Sequence, residues 1–259
     1  MPGVEAIGKI IAIANQKGGV AKTTTAVNLS AWVSLMGRRV LLIDIDPQGN
    51  ATSGLGLDKD QLEYTIYDVL INGVEAEKVI VQSPVENLFV LPSRIDLAGA
   101  EIEMVGLEGR EYLLKRAIPG IEKEFDMIII DCPPSLGLIT INAMAAANSV
   151  LIPIQCEYYA LEGLGQLINT ISLVQKGINR ELVIEGVLLT MFDGRTNLSI
   201  QVVDEVKRHF RDKVYRSIIP RNVRLSEAPS HGKPVMVYDR RSKGAEVYHD
   251  LAKEVLGIE

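Results

Sequence analysis

Eleven residues, Asn15-Gln16-Lys17-Gly18-Gly19-Val20-Ala21-Lys22-Thr23-Thr24-Thr25, constrain this chain more than anything else in it. They close an apolar run expected to be a strand, Ile10–Asn15, and open a segment of helical character, Lys22–Leu35. Glycine lets a backbone curl closely around an anion, and a helix N-terminus points N–H groups and a positive dipole at it. Lys22 is placed to neutralise β- and γ-phosphate charge, and the Thr23 hydroxyl suits a Mg2+ ion. The common form G-x-x-x-x-G-K-[ST] is not met, because Gln16 and Ala21 stand where its glycines would be. The pattern present is K-G-G-x-x-K-[ST], with a second lysine, Lys17, five residues before Lys22. The expected phosphate-contacting set is Lys17, Gly18, Gly19, Val20, Ala21, Lys22, Thr23 and Thr24. Ala21 fits at little cost unless the backbone needs a positive φ there, which costs alanine about 1 kcal/mol.

Two further segments supply acids. Ile43-Asp44-Ile45-Asp46-Pro47 ends a second apolar run, and a strand's period of 2 puts Asp44 and Asp46 on one side with Ile45 on the other. Two carboxylates at a strand end beside a phosphate loop are costly unless a cation or water network meets them. Phe125-Asp126-Met127-Ile128-Ile129-Ile130-Asp131 is an apolar strand ending in an acid, so Asp131 is the candidate to hold the metal through water. Cys132, in the following turn, reads as a small buried structural residue.

The rest of the chain repeats the same alternation. Strands are expected at Ile10–Asn15, Arg39–Asp44, Leu88–Leu91, Met127–Asp131, Val150–Ile154, Val183–Thr190 and Val214–Ile219. Helices are expected at Lys22–Leu35, Ala98–Ala117, Gly137–Ala147, Leu161–Gln175, Ser199–Phe210 and Gly244–Leu256. Runs such as Met127–Ile130 are apolar on both faces, as strands are when helices cover both sides of a parallel sheet. The expectation is one α/β domain over 1–259: a doubly wound, mostly parallel sheet with helices on both faces, its ligands beyond the strands' carboxyl ends.

Charge is distributed unevenly. The net value is −6, yet 13 Lys/Arg and 8 Asp/Glu lie between Arg180 and Lys243, against 14 and 25 in the remainder. An acidic body with a basic C-terminal third can still present a phosphate-binding face. Met1–Gly8 lacks the basic start and apolar core of a signal peptide, and no apolar run reaches the roughly 18–20 residues that span a bilayer. Two isolated cysteines, Cys132 and Cys156, fit a reduced, cytoplasmic protein without a zinc or iron–sulfur site.

In order, the chain carries K-G-G-V-A-K-T-T-T, D-I-D-P-Q-G-N-A-T-S-G-L-G, I-I-D-C-P-P-S-L-G and I-P-R-N-V-R-L-S-E-A-P-S-H-G-K-P. From Ile11 to about Ala252 this resembles the ParA/Soj partition ATPases, P-loop NTPases with a deviant Walker A motif. The second and fourth blocks are the most discriminating, since they are not general features of phosphate-loop proteins. The resemblance implies ATP and Mg2+ as cofactors, an ATP-dependent homodimer in which Lys17 reaches the partner's phosphates, and slow hydrolysis stimulated by a ParB-type protein. It implies that Asp44 lies near the hydration shell of the metal, which Thr23 and Asp131 also serve, and that Asp46 lies beside the attacking water. Pro220, Arg221 and Asn222 match the adenine-contacting segment. Non-specific double-stranded DNA would meet Arg195 and Arg224, with Arg216 and Lys243 as neighbours. The implied role is chromosome or plasmid segregation on the nucleoid.

Two other classes share parts of this pattern. A MinD-like membrane-surface regulator of division placement ends in a basic amphipathic helix, whereas Glu246–Glu259 is acidic and reads as a packed helix with no membrane anchor. An iron–sulfur reductase or ATP-dependent ligase would need bridging thiolates or a substrate motif, and Cys132 and Cys156 do not match the first.

Overall fold

A computed structural model describes residues 8–157 and 164–258. Met1–Ile7, the first residues of the helix expected at Leu161–Gln175, and Glu259 lie outside the described residues. Seven strands form one sheet: β1 Lys9–Ile13, β2 Val40–Asp44, β3 Val81–Gln82, β4 Leu88–Leu91, β5 Met127–Asp131, β6 Ser149–Gln155 and β7 Val183–Thr190. Their order is β3-β4-β2-β5-β1-β6-β7, and every pairing is parallel except the short edge pair β3–β4.

The core follows from strand period. In β2 and β5 all five residues are buried. Leu41, Ile43, Ile128 and Ile130 face one apolar layer, while Val40, Leu42, Met127 and Ile129 face the other. Burying each such side chain is worth about 1.5–3 kcal/mol, so a central strand of this composition is stable only with helices on both sides. The first helix, Lys22–Leu35, and the C-terminal helix, Lys243–Leu256, belong to the second layer; Thr25 and Tyr248 join them with a buried hydroxyl pair at 3.0 Å. Helices leave β1 toward β2 on one side and β6 lies on the other, which opens a crevice at the carboxyl end of β1.

Two expected elements differ. Val214–Ile219 pairs with β7 through an isolated bridge at Val214 and hydrogen bonds from the Tyr215 and Ile219 N–H groups, without a continuous ladder. Between them, the Arg216 and Ser217 N–H groups donate to the Glu254 carboxylate at 2.8 Å each, so a side chain takes the donors that a ladder would need. The helix expected over Ala98–Ala117 is broken into Leu97–Met104, a 3-10 turn Arg110–Tyr112 and Leu113–Ala117. Gly106 and Gly109 punctuate the break, with Gly109 at φ 63°. β3 is two residues long, too short to leave a period in the sequence.

Candidate functional site

β1, β2 and β5 lie side by side, and their register sets the site. Asp44 is the direct partner of Asp131, and Asp131 in turn pairs with Ile13, the last residue before the loop that leads to Lys22. Both acids and the loop therefore meet at one edge of the sheet. Lys22 is only 6% exposed and Asp46 only 7%; Asp44 and Asp131 are fully buried.

The loop is held by polar side chains beneath it. Asn15 accepts from the Lys17 N–H at 3.0 Å and donates to the Pro153 carbonyl at 2.7 Å, while Thr190 donates to the Val20 carbonyl at 3.2 Å. Lys22 Nζ curls back to donate to the Lys17 carbonyl at 3.1 Å. Burial lowers its pKa, opposed first by the Asp131 charge. Gly18 and Gly19 are exposed, and Gly19 has φ +72°. Ala21 adopts φ 68°, ψ 31° at the N-cap of the first helix. That is the left-handed region, so the conditional cost attached to alanine at this position applies.

The three acids differ in how they are satisfied. Asp44 accepts from the Thr52 N–H at 2.8 Å and the Thr52 hydroxyl at 2.7 Å, and from the Asp46 N–H at 3.2 Å. Burial pushes its pKa up to about 6, against the downward pull of those bonds. Asp46 accepts from the Gln48 N–H with Oδ1. Asp131 has no hydrogen-bond partner on either carboxylate oxygen among the described residues. Burial, then the Asp44 charge, push it well above the ordinary carboxylate range, with Thr23 and Lys22 acting in the opposite sense.

One buried lysine against three buried acids is a charge deficit that a bound cation corrects. Among the described residues no cluster of three or more His, Cys, Asp or Glu side chains makes a protein-only metal cage. Mg2+ keeps waters and takes phosphate oxygens beside one or two carboxylates. Asp131 and Thr23 fit it best. The oxygens of Asp44 are already occupied, which fits a place outside the ion's direct ligands.

Beside the loop lies a cleft of about 680 Å3 lined by Ala21, Thr24, Met191, Ile219, Pro220, Arg221, Asn222 and Tyr248, with Arg195 at its rim. The sequence-expected segment Pro220–Asn222 and the phosphate loop thus face one cavity. Asn222 Oδ1 caps the short helix Val223–Glu227 by accepting from the Arg224 N–H at 2.9 Å, which leaves its amide N–H2 to donate. Arg221 is paired with Glu157 at 2.6 Å.

The basic residues are exposed and mostly paired. Arg195, with its side chain 88% exposed, makes a two-pronged contact with Asp193 at 2.7 and 2.8 Å. Its hydrogen bonds hold the Asp193 pKa down to about 2. Arg224 pairs with Glu227 at 2.8 Å and Asp239 at 3.3 Å, and Lys243 with Glu246 at 2.9 Å. Leu225 packs where a Gly244 side chain would stand, which brings together the segments that carry Arg224 and Lys243. Arg216 lies apart, at the Glu254 end of the C-terminal helix, about 17 Å along its axis from Lys243.

Sequence reasoning assigned no role to Thr52 or Ser93. Ser93 Oγ donates to the Asp46 carbonyl at 2.8 Å and its N–H to Thr52 Oγ1 at 3.0 Å, which fixes the Asp44–Asp46 segment from behind. Thr52 lies in the D-P-Q-G-N-A-T-S-G-L-G block, eight residues after Asp44, but only the fold folds that helix back onto the strand end. A second support is steric. Gly56 and Gly232, at φ +79° and +60°, meet with no side chain between them: a Cβ on Gly232 would lie 2.7 Å from Gly56 Cα, and one on Gly56 would lie 2.9 Å from the Gly232 carbonyl oxygen.

Fold and site together define a phosphate-loop ATPase of the MinD/ParA-like architecture. Residues 8–184 match a family described as an AAA domain. The sporulation initiation inhibitor protein Soj of Bacillus subtilis is 65% identical over 96% of this chain and 98% of its own length. The chromosome partitioning protein ParA of Myxococcus xanthus is 54% identical over 96% of this chain and 88% of its own. A solved structure of cobyrinic acid a,c-diamide synthase from Mycobacterium smegmatis with bound ATP analog and magnesium is 42% identical, with a TM-score of 0.87 over 96% of this chain and 94% of that one. The chain belongs to the ParA/Soj family of chromosome-partitioning ATPases.

Proposed function

We propose that this ATPase is a nucleotide-switched DNA-partition protein: Mg-ATP drives a sandwich dimer, the dimer binds DNA without reading its sequence, and hydrolysis resets it. The observation that supports this most is the buried, over-acidic meeting of Lys22, Asp44, Asp46 and Asp131 beneath an exposed glycine loop. Phosphate oxygens take the place of the Lys17 carbonyl at Lys22 Nζ, and the loop's N–H groups cradle them. The adenine enters the Pro220–Asn222 cleft, where Asn222 donates to the base. Asp131 and Thr23 would hold Mg2+, with Asp44 near its hydration shell, and the ion would supply charge neutralisation at the phosphates.

Lys17, half-exposed at the loop's start, extends to the phosphates of a second copy. Asp46 keeps one carboxylate oxygen to orient water, and slow turnover awaits a ParB-type partner. Arg195, Arg224 and Lys243 exchange their intrachain acids for DNA phosphates, and Arg216 adds its guanidinium, which makes binding salt-dependent. The place of action is the cytoplasm, on the nucleoid. A membrane-surface role is disfavoured because the C-terminal helix buries its apolar residues, among them Val247, Leu251 and Val255, in the core. The identities of 54–65% to partition proteins also exceed the 42% to the diamide synthase.

Binding to a long non-specific duplex with ATP, ADP or no nucleotide, at two salt concentrations, tests the reading. ATP-dependent, salt-sensitive binding should vanish in Lys22→Ala. In Arg195→Ala it should weaken and lose about one unit of salt slope. Tight ATP binding without DNA binding in any state overturns it.

A further inference from the structure

Ala21 sits in the phosphate loop at φ 68°, ψ 31°, where alanine is strained and glycine is not. A strained residue persists only where its surroundings over-determine it. This one has a short way out. A flip of the Val20–Ala21 peptide by about 180° changes ψ of Val20 and φ of Ala21 and little else, the same difference that separates type I from type II turns. It returns Ala21 to negative φ, so something must oppose it.

The Val20 carbonyl is what holds the peptide in place. Val20 is 1% exposed, and its carbonyl accepts from the Thr190 hydroxyl at 3.2 Å. In a planar trans peptide the C=O and N–H point in opposite directions. With the carbonyl tied toward β7, the Ala21 N–H points the other way, and no main-chain carbonyl among the described residues accepts from it. A flip would aim the carbonyl oxygen where that N–H now points. An oxygen there repels a phosphate, whereas an N–H at a helix start attracts one.

Thr190 is a fixed post for this task. It is fully buried at the last position of β7, opposite Gln155 in β6, and its own carbonyl accepts from the Cys156 N–H at 2.9 Å. Its β-branched side chain is stiff at χ1. The hydroxyl is therefore aimed by the sheet, 170 positions along the chain from the loop it holds.

We propose that Thr190 is a positioning residue for nucleotide: its hydroxyl locks the Val20–Ala21 peptide with the Ala21 N–H toward the phosphates, and the lock is needed because position 21 is alanine. Thr190 acts through the main chain of the loop. This rests on the loop receiving the phosphates of Mg-ATP.

The test is a double-mutant cycle on the full chain, read as the Kd of Mg-ATP by calorimetry with melting temperature alongside. Thr190→Val removes the hydroxyl, keeps the shape and should weaken binding about tenfold. In the Ala21→Gly background, where positive φ carries no strain, the same change should cost about twofold or less. Thr190→Ser keeps the hydroxyl and loses a methyl. It should lower the melting temperature yet hold Kd within about twofold of the parent. Should Thr190→Val fail to fold, Thr190→Ala against Thr190→Ser makes the same comparison, since those two differ only in the hydroxyl. Equal losses of affinity in both backgrounds, or in Thr190→Ser as in Thr190→Val, overturn the lock and leave Thr190 a packing residue. Unchanged affinity in Thr190→Val overturns it as well. A parent chain that does not bind Mg-ATP fails the underlying phosphate-site reading, and the lock with it.

Discussion

The phosphate end of this molecule and its basic C-terminal third both carry charge, under opposite rules. At the phosphate end Lys22, Asp44 and Asp131 are buried, fixed by a few hydrogen bonds or by none. In the C-terminal third, Arg195, Arg224 and Lys243 are exposed and each already has an acid from the same chain. A buried charge without a partner costs several kcal/mol, so it persists only where a ligand completes it. An exposed ion pair is worth about 0–1 kcal/mol, so its partner can be exchanged at little cost. Burial marks the site that chemistry requires, and loose pairing marks the site that can be switched.

Asp131→Asn sharpens this contrast most. Removing the unpartnered charge should leave the nucleotide-free protein as stable or stabler in thermal unfolding, while Mg2+-dependent hydrolysis falls about 100-fold or more. A melting temperature lowered as by an ordinary core lesion would break the argument that this carboxylate awaits a cation. Next in size, Asp193→Asn frees Arg195 and should tighten ATP-dependent DNA binding about two- to fivefold, most visibly at low salt. Unchanged affinity in a filter or anisotropy assay would mean that the pair does not compete with DNA. The smallest effect is at Ala21→Gly, which relieves a left-handed alanine. It should raise stability by about 1 kcal/mol, or about 2–4 °C by calorimetry. A fall in melting temperature would show that the alanine methyl is packed rather than strained.

The phosphate end was also the more legible region. Leu88–Leu91 and Met127–Asp131 stand as strands at the expected bounds, because runs buried on nearly every position leave no ambiguity of period, and Val183–Thr190 does so with only its last five residues buried. Asp44 and Asp131 could be placed at strand ends, but that they are register partners needed the sheet. Thr52 and Ser93 were invisible as supports because their roles depend on contacts across the fold, the two lying 41 positions apart. Val214–Ile219 has a strand's composition, yet Glu254 took its donors from a helix distant in sequence. The arginines were legible as a basic excess, while their acids are local geometry: Asp193 is two residues from Arg195, a spacing common on any surface.

The contact between Gly56 and Gly232 bears on how this protein can vary over time. It joins the segment after Asp46 to the segment after Asn222 through main chain alone, and both residues sit where any side chain is strained. Most joints between distant segments can be tuned by exchanging one methyl group for another. This one has no adjustable part. A side chain at either position has to move the main chain itself. The contact holds only as glycine against glycine.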